Sequence, residues 1–510
     1  MSPTPVPFTS VRLGKSTFQI TTSVGHSLQT YDLRRGLNLI FLSRPQTPEI
    51  ITATCAWQDK VFAAWGHLRS QSPGGAWVFK RGKRVAVLES PADVNGPIER
   101  LVVFGSWVVG CWAGGLEVWK TDTYEHYASL RPQSARGEKI YTGVMCNMPT
   151  YLNKIFVGRS DGAVDIWNLR SGKLLHTLPS LSSDAGPVTA IHPTPALSLV
   201  AIAYKGGALA IQNVSSGQLV LSLKNASSRG LPVTSISFRG DGLGAGHDGR
   251  SSGVMATASS GSGDITLWDL NNGGRIAGIL RGAHRVSSGE KAMGANRVEF
   301  LDGQPVLVSS GDDNSLKTWI FDETPFSPIP RPLHRRNGHS AAVSALDFLP
   351  TSSDGSESGG KWLLSASKDC SLWGLSLRKD SQHTEISQGS LERKAKKGGP
   401  SNISSSEDLK APEVTCIACS LNRDGGMGVT TSGPVWSNPK VTNADASNAT
   451  GWESVVTGHR GDKFARTWFW GKKKAGRWAF ATSDGTEVKV RRLLSMIEQS
   501  FTFANIFHRV

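Results

Sequence analysis

The stretch that decides the fold is NKIFVGRSDGAVDIW, residues 153–167. Two short apolar runs, 153–158 and 163–167, flank an Asp-Gly pair at 161–162. Runs of this kind predict β-strands, and an Asp-Gly pair between them predicts a tight hairpin turn. The second run ends on an apolar–aromatic–polar triplet, Ile166-Trp167-Asn168. This triplet is a marker with which the rest of the chain can be searched.

Similar endings recur along the chain and indicate internal repeats. Up to residue 375 they stand 40 to 56 residues apart. WD repeats have a period of ~40–45 residues and four strands per propeller blade, and loop insertions at 240–253 and 326–336 fit the longer steps. The repeats therefore predict an all-β chain built as a WD-repeat β-propeller. The nine endings are at Tyr31, Phe79, Trp119, Trp167, Gln212, Trp268, Trp319, Leu375 and Trp468.

The composition agrees with this fold class. Fifty-six glycines make up about 11% of the 510 residues, against ~7% in an average protein. Each blade needs several turns with positive φ, which glycine adopts at little steric cost. Sixteen tryptophans among many β-branched residues also favour strands over helices. A mainly helical protein is thus disfavoured.

Charge and cysteine content narrow the class of protein. Fifty-six Lys and Arg against 41 Asp and Glu give a net charge of +15, which suits a polyanionic partner such as nucleic acid. The six scattered cysteines predict no disulfide framework, and the N-terminus shows no secretory signal. The most apolar stretch, 101–112, is too short to span a bilayer. We expect a soluble intracellular protein with no membrane contact.

Several repeats carry a carboxylate six residues before the marker position, by which we mean the central residue of the ending, such as Trp167. In that place an Asp falls in the turn between two strands, where it can bind backbone N–H groups and an upstream His. Two histidines stand 35 and 36 residues before a marker, as such a partner would. We predict a structural, hydrogen-bonding role for these positions: Asp161 with Trp167, His284 and Asp313 with Trp319, His339 and Asp369 with Leu375, and Asp462 with Trp468.

Nine endings are too many for one ring, because a propeller holds about 4–8 blades. We predict one seven-bladed propeller within residues 1–378, formed by the units that end at Phe79 through Leu375, with residues 11–43 completing a neighbouring blade. The Ser-, Lys- and Gly-rich segment 379–412 is expected to be a disordered basic insertion. Residues 413–488 are expected to start a second, incomplete propeller. Residues 489–510 carry no blade pattern.

Two basic clusters are candidate contacts for RNA or another anionic partner. One comprises Lys472, Lys473, Lys474 and Arg477 among tryptophans, and the other comprises Arg81, Lys83 and Arg84. Lysine and arginine neutralise phosphates, and aromatic rings stack on unpaired bases. The alternative is that both clusters are solvated hairpin tips whose aromatic neighbours pack between blades. A third basic run, 393–397, is a candidate nuclear localisation signal.

The remaining motifs predict no enzyme chemistry. Residues 244–249 match G-x-G-x-x-G, but the next segment reads as a strand and not as the helix that a dinucleotide site requires. Cys416 and Cys419 form a C-x-x-C within an expected strand, where positions i and i+3 face opposite sides. No catalytic set, cofactor, metal or small-molecule substrate is therefore expected.

Stretches outside the generic repeat resemble one family. They are residues 14–25, 29–32, 60–66, 78–84, 363–369, 461–468 and 477–480. Together they are similar to the U3 small nucleolar RNA-associated protein 21 family, the tandem-propeller WD-repeat subunits of the UTP-B part of the small-subunit processome. The similarity spans roughly residues 11 to 488 and ends there. The family carries a full second propeller and a helical C-terminal domain, so the resemblance implies a C-terminally truncated member.

The resemblance implies a non-enzymatic scaffold in the nucleus and nucleolus that supports pre-ribosomal RNA processing toward 18S ribosomal RNA. Its implied partners are the other UTP-B subunits and processome proteins, with contact to pre-ribosomal RNA or U3 small nucleolar RNA. The alternative from the repeats alone is another intracellular WD-repeat adaptor, such as a ubiquitin-ligase substrate receptor.

Overall fold

A computed structural model describes residues 4–13, 18–67, 74–91, 94, 96–132, 140–223, 230–240, 253–284, 294–322, 329–349, 362–379, 382–386, 410–419, 429–430, 433–434, 455–470 and 473–481. The chain divides into two compact units, Met1–Gly338 and His339–Val510. Within the described residues the regular elements are strands, apart from one 3-10 turn at Leu33–Arg35.

The first unit contains seven antiparallel four-stranded sheets, each built from consecutive strands, and each sheet is one blade. Blade 1 is β1 (Thr9–Arg12), β2 (Phe18–Val24), β3 (Ser27–Asp32) and β4 (Asn38–Leu42). Blade 2 is β5 (Ile51–Trp57), β6 (Lys60–Trp65), β7 (Gly75–Lys80) and β8 (Lys83–Leu88). Blade 3 is β9 (Arg100–Phe104), β10 (Trp107–Trp112), β11 (Gly115–Lys120) and β12 (His126–Leu130).

The same pattern continues through the next four blades. Blade 4 is β13 (Tyr141–Asn147), β14 (Lys154–Arg159), β15 (Val164–Asn168) and β16 (Lys173–Leu178). Blade 5 is β17 (Val188–Pro193), β18 (Leu199–Tyr204), β19 (Leu209–Asn213) and β20 (Leu219–Leu223). Blade 6 is β21 (Val233–Phe238), β22 (Val254–Ser259), β23 (Ile265–Asp269) and β24 (Arg275–Leu280). Blade 7 is β25 (Ala295–Phe300), β26 (Val306–Gly311), β27 (Ser315–Ile320) and β28 (Arg331–Asn337).

The ring closes between blade 7 and blade 1. Phe18, Ile20 and Tyr31 of blade 1 share one buried cluster with Val308 and Leu316 of blade 7. Polar contacts cross the same junction: the Ser10 hydroxyl donates to Glu299, Arg12 pairs with Asp302 at 3.3 Å, and the Arg336 guanidinium donates to the Leu37 carbonyl at 3.2 Å. Burial of apolar side chains between sheets is the main stabilising contribution to such a ring. Among the described residues of the first unit, buried clusters also join each other pair of neighbouring blades.

The seven-bladed propeller predicted from the repeats is confirmed as a fold class, but the blades that form it differ from the expected set. The unit ending at Tyr31 supplies a complete blade of its own and does not complete a neighbour. The unit ending at Leu375 belongs to the second compact unit, so the boundary follows Gly338 and not residue 378. The physical reason is β1, a strand of only four residues with no clear sequence pattern, which pairs with β2 and so completes blade 1.

The second unit contains two further four-stranded sheets among its described residues. The first is β29 (Val343–Phe348), β30 (Trp362–Ser367), β31 (Leu372–Ser376) and β32 (Thr384–Glu385). A two-residue pair, β34 (Val429–Thr430) and β35 (Gly433–Pro434), follows β33 (Val414–Cys419) in the chain. The second sheet is β33, β36 (Val455–His459), β37 (Phe464–Phe469) and β38 (Lys474–Ala481), in that order.

The prediction that residues 379–412 form a disordered insertion is wrong for the beginning of this segment. Its beginning contributes β32, which pairs with β31, and Ile386 next to it is buried. Residues 387–409, which include the basic run 393–397, lie outside the described residues, as do the G-x-G-x-x-G stretch and residues 489–510.

Candidate nucleic-acid interface

The best-defined polar network lies in blade 7, around the buried ring of His284. The Trp319 indole N–H donates to the Ser309 hydroxyl at 2.9 Å, and that hydroxyl lies 2.8 Å from His284 Nε2. On its other side His284 Nδ1 lies 2.9 Å from Asp313 Oδ1. Burial of the Asp313 carboxyl raises its pKa, but the hydrogen bond from His284 and the Lys317 ammonium outweigh burial and hold that pKa below its usual range. Every polar group of the network is thereby satisfied inside the sheet.

A related network in the second unit surrounds His339. Its Nδ1 lies 3.3 Å from Asp369 Oδ2, and its Nε2 lies 2.9 Å from the Ser365 hydroxyl. Leu375 stands where blade 7 has a tryptophan, and the indole N–H of this network comes from Trp373 instead. It donates to the Ser371 hydroxyl at 3.1 Å, and that hydroxyl lies 3.0 Å from His339 Nδ1. The Asp369 carboxylate also accepts a hydrogen bond from the Ser340 backbone N–H at 2.8 Å.

Acid is expected to weaken the second unit through Asp369. Burial raises the pKa of this carboxyl, but hydrogen bonds from His339 and Ser371 outweigh burial and lower the pKa from 3.8 to about 2. A depressed carboxyl pKa stabilises the fold above about pH 4, and this contribution, about 2 kcal/mol, is lost as the pH falls toward 2. Hydrogen exchange of the 362–376 peptide, corrected for intrinsic rates, measures the loss.

One substitution tests this pH prediction and a second serves as its control. Asp369→Asn is expected to lower protection above pH 4 and to flatten its dependence on pH between 2 and 5. Asp302→Asn changes a carboxylate whose side chain is 83% exposed, so it serves as the matched control and is expected to leave the profile unchanged. A wild-type profile that stays flat over this range would contradict the assignment to Asp369.

The two other predicted Asp positions have different surroundings. Asp161 is exposed, pairs with Arg159 at 2.9 Å and accepts the Ala163 N–H at 3.0 Å. Asp462 pairs with Arg466 at 2.7 Å. Among the described residues neither carboxylate binds a histidine by a hydrogen bond, so the expected His partner is absent there.

Other residues take the histidine's place in these sheets. In blade 4 the Trp167 indole donates to the Tyr141 hydroxyl at 2.9 Å, which donates to the buried Asp165 carboxylate at 3.0 Å. In the second unit the Trp468 indole donates to the Thr457 hydroxyl at 2.7 Å, and His459 Nε2 lies 2.9 Å from the same oxygen.

Blade 3 contains a charged network that the sequence patterns did not single out. Glu117 lies in the middle of β11 and is fully buried. Its carboxylate accepts hydrogen bonds or ion pairs from four side chains: Arg131 at 2.6 Å, Ser129 at 2.6 Å, His126 at 3.0 Å and Trp112 at 3.1 Å. The sequence signal that could have revealed this network is a Glu between apolar residues of a predicted strand.

The cluster in blade 2 lies at the turn between β7 and β8, and its charged side chains are exposed. Arg81, with φ of +50°, and Gly82 form the turn, and Lys83 and Arg84 begin β8. The Arg84 guanidinium carbon lies 4.5 Å from the centroid of the Trp77 ring. None of these three basic side chains forms an ion pair within the described part of the chain, whereas the neighbouring Lys80 pairs with Asp59 at 2.6 Å.

The structure adds a fourth basic residue, Arg44, which follows blade 1. Its N–H donates to the Gly82 carbonyl at 2.7 Å, and its carbonyl accepts the Arg84 N–H at 3.2 Å. These bonds place Arg44 beside Lys83 in a parallel β-bridge. We call Arg44, Arg81, Lys83 and Arg84 the basic corner. All four are exposed.

The second cluster is less accessible than its sequence suggests. The Lys473 ammonium lies 2.8 Å from the Trp470 ring centroid and 4.9 Å from that of Trp362. Burial lowers the pKa of Lys473 to about 7. This geometry favours the packing interpretation for Lys473. Lys474 is exposed, whereas Lys472 and the side chain of Arg477 lie outside the described residues.

The C-x-x-C pair occupies β33. The Cys419 thiol donates to Asp347 Oδ2 at 3.3 Å, and burial together with this carboxylate raises the pKa of Cys419. In the described ranges no three His, Cys, Asp or Glu side chains are grouped so that they share a metal ion. Over the same ranges, no helix has the length and apolar character needed to cross a membrane.

Comparison with known proteins identifies relatives of more than nine-tenths of the chain. Residues 20–322 match the family described as WDR36/Utp21 first beta-propeller. The chain is 33% identical over 473 residues to the U3 small nucleolar RNA-associated protein 21 homolog of Schizosaccharomyces pombe, covering 92% of this chain and 44% of that protein. It is 33% identical over 501 residues to U3 small nucleolar RNA-associated protein 21 of Saccharomyces cerevisiae, covering 95% of this chain and 46% of that protein.

A human relative is more distant. WD repeat-containing protein 36 of Homo sapiens is 28% identical over 464 residues, covering 91% of this chain and 44% of that protein. The chain thus spans a little under half the length of these relatives.

Proposed function

Because this chain belongs to the WDR36/Utp21 family of WD-repeat proteins, we propose that it is a non-enzymatic scaffold of the small-subunit processome. In this role it supports pre-ribosomal RNA processing and maturation of 18S ribosomal RNA. One observation carries the proposal: two relatives with 33% identity over more than nine-tenths of the chain are named for association with U3 small nucleolar RNA.

The partners follow from the same premise. We propose that the chain contacts other UTP-B subunits and processome proteins, and that it acts in the nucleus and nucleolus. A closed seven-bladed ring suits a scaffold because its packed sheets hold many surface loops in fixed positions. The buried His, Asp and Ser groups of blade 7 support the non-enzymatic part of the proposal, since they bind one another inside the sheet.

The basic corner is the part of the surface that we propose for RNA contact. Arginine and lysine bind phosphate oxygens, and each neutralised phosphate releases counterions. Three of the four residues come from one hairpin, the β7–β8 turn and the start of β8, and Arg44 is brought to them by backbone hydrogen bonds. The exposed Lys474 is available for the same role in the second unit.

Purification of the tagged full chain from its own cells tests the function. U3 small nucleolar RNA and pre-ribosomal RNA are expected to be enriched with it, as measured by quantitative reverse transcription. The triple variant Arg44→Glu, Arg81→Glu and Arg84→Glu is expected to recover about tenfold less RNA because it loses phosphate contacts. A control variant with the same net charge is Lys173→Glu, Lys205→Glu and Arg275→Glu, all at exposed positions.

The outcomes separate the parts of the proposal. RNA enrichment that the basic-corner variant does not reduce would contradict direct contact at this surface and leave the scaffold role standing. A chain that recovers no U3 RNA, and instead brings down ubiquitin-ligase subunits, would overturn the processome role in favour of a substrate receptor.

A further inference from the structure

A cavity of about 420 Å³ lies between blade 1 and blade 2, next to the basic corner. This volume falls within the ~300–1,000 Å³ of small-molecule sites. Its apolar lining consists of Val11, Leu13, Leu28, Phe41, Val61 and Phe79. Its polar lining consists of Gln19, Thr30, Ser43 and Asp59. Arg81 and Gly82, which form the β7–β8 turn, make up one further wall.

The wall formed by this turn is held in place by the backbone. Gly82 has φ of +78°, and a Cβ at this position would lie 2.8 Å from the Leu42 carbonyl oxygen. The turn therefore packs directly against the end of β4, and the Arg44 hydrogen bonds reinforce the contact. A preformed cavity loses less conformational entropy on binding than one that must be ordered first.

We propose that this cavity takes one unpaired base of a single-stranded RNA, while the basic corner binds the phosphates on either side of that base. The inference rests on the RNA contact in the proposed function and names the chemistry of its site. Sequence-tolerant RNA binding combines such a basic surface with aromatic side chains on which bases stack.

The polar groups of the cavity match the edge of a base. The Ser43 hydroxyl oxygen accepts the Leu28 N–H at 2.8 Å, which leaves its own O–H to donate to a base carbonyl or ring nitrogen. The Gln19 amide lines the cavity without a hydrogen bond to another described residue, so it offers both a donor and an acceptor. Asp59 is paired with Lys80 at 2.6 Å, and this pairing reduces the repulsion between its carboxylate and the RNA phosphates.

Fluorescence anisotropy with the full 510-residue chain tests this site. The probes are a single-stranded RNA of about twelve nucleotides and the same backbone with every base removed. The base-bearing RNA is expected to bind about tenfold more tightly, since stacking of one base contributes on this scale. Gln19→Trp and, separately, Val61→Trp fill the cavity and are expected to abolish this tenfold difference.

Two further variants separate the base from the phosphates. Gln218→Trp adds the same bulk at an exposed site in blade 5 and is expected to retain the difference. Arg81→Glu is expected to weaken both probes equally and to reduce the salt dependence of binding. Thermal unfolding of each variant checks that the ring is intact.

Three results would overturn the inference. Equal affinity for both probes would refute base insertion and leave RNA contact through phosphates standing. A failure of the wild-type chain to bind either probe would refute this site and the RNA contact of the proposed function together. If filling the cavity weakened an acidic peptide and left both RNAs unaffected, the cavity would serve a protein partner and the inference would be wrong.

Discussion

Replacing His284 by alanine is expected to lower the free energy of unfolding of the first propeller by about 3–5 kcal/mol. The imidazole is 1% exposed and lies between Ser309 and Asp313. Its removal takes the His284 partner from the largely buried Asp313 carboxylate and one of two partners from the buried Ser309 hydroxyl. Both losses cost free energy in addition to the cost of the cavity left by the ring. The ring is closely packed, since a Cβ on Gly311 would lie 2.5 Å from the imidazole.

Hydrogen exchange of the full chain is the appropriate measurement, since it reports opening of β26 and β27 without assuming that both units unfold together. Amides in these strands are expected to exchange with an opening free energy reduced by the stated amount. His176→Ala is the matched control: this histidine is exposed on β16, and its loss is expected to cost less than ~0.5 kcal/mol. Unchanged protection in the His284 variant would show that the network does not stabilise blade 7.

Replacing Glu117 by alanine is expected to destabilise blade 3 by a similar amount, about 3–5 kcal/mol. The substitution leaves the Arg131 guanidinium without the carboxylate that it contacts at 2.6 Å. It also leaves the indole N–H of Trp112 unpaired in a buried place. Breaking one partner of a buried ion pair is costly for this reason, even where the intact pair adds little.

A double substitution distinguishes an unpaired charge from lost packing. Glu117→Met is expected to destabilise strongly, whereas Glu117→Met with Arg131→Met is expected to recover part of the loss because no guanidinium is left without its carboxylate. Hydrogen exchange of β10 and β11 measures both. Glu125→Ala, at an exposed position close by, is the control and is expected to have little effect. Additive losses in the double variant would refute the ion-pair explanation.

Much of the fold follows from local patterns. The Asp-Gly turn at 161–162 and the two runs beside it correspond to β14 and β15, and every predicted ending from Tyr31 to Trp468 lies in or directly beside a strand. Strand periodicity and turn chemistry are local properties, so a single sequence reports them well. β1 escaped notice because four residues, Thr9–Arg12, are too few to show a period.

The candidate site was predictable only in part. Arg81, Lys83 and Arg84 are adjacent in the chain, so their clustering is visible in the sequence. Arg44 is distant from them along the chain and joins them through backbone hydrogen bonds between blades. Lys473 shows the opposite case, because its place in a basic run concealed a contact with Trp362, a residue far away in the sequence.

The sequence by itself determined that this protein is built of WD-repeat blades, because the four strands of each blade are formed by residues close together along the chain. It also determined where the turns lie, since Gly and Asp-Gly pairs are required at particular backbone angles. The tertiary structure decided which seven blades form the ring. Closure depends on whether Phe18 and Ile20 pack against Val308 and Leu316, contacts that span nearly the whole unit. Such contacts depend on how buried side chains from distant parts of the chain pack together, and a local sequence pattern contains no information about that packing.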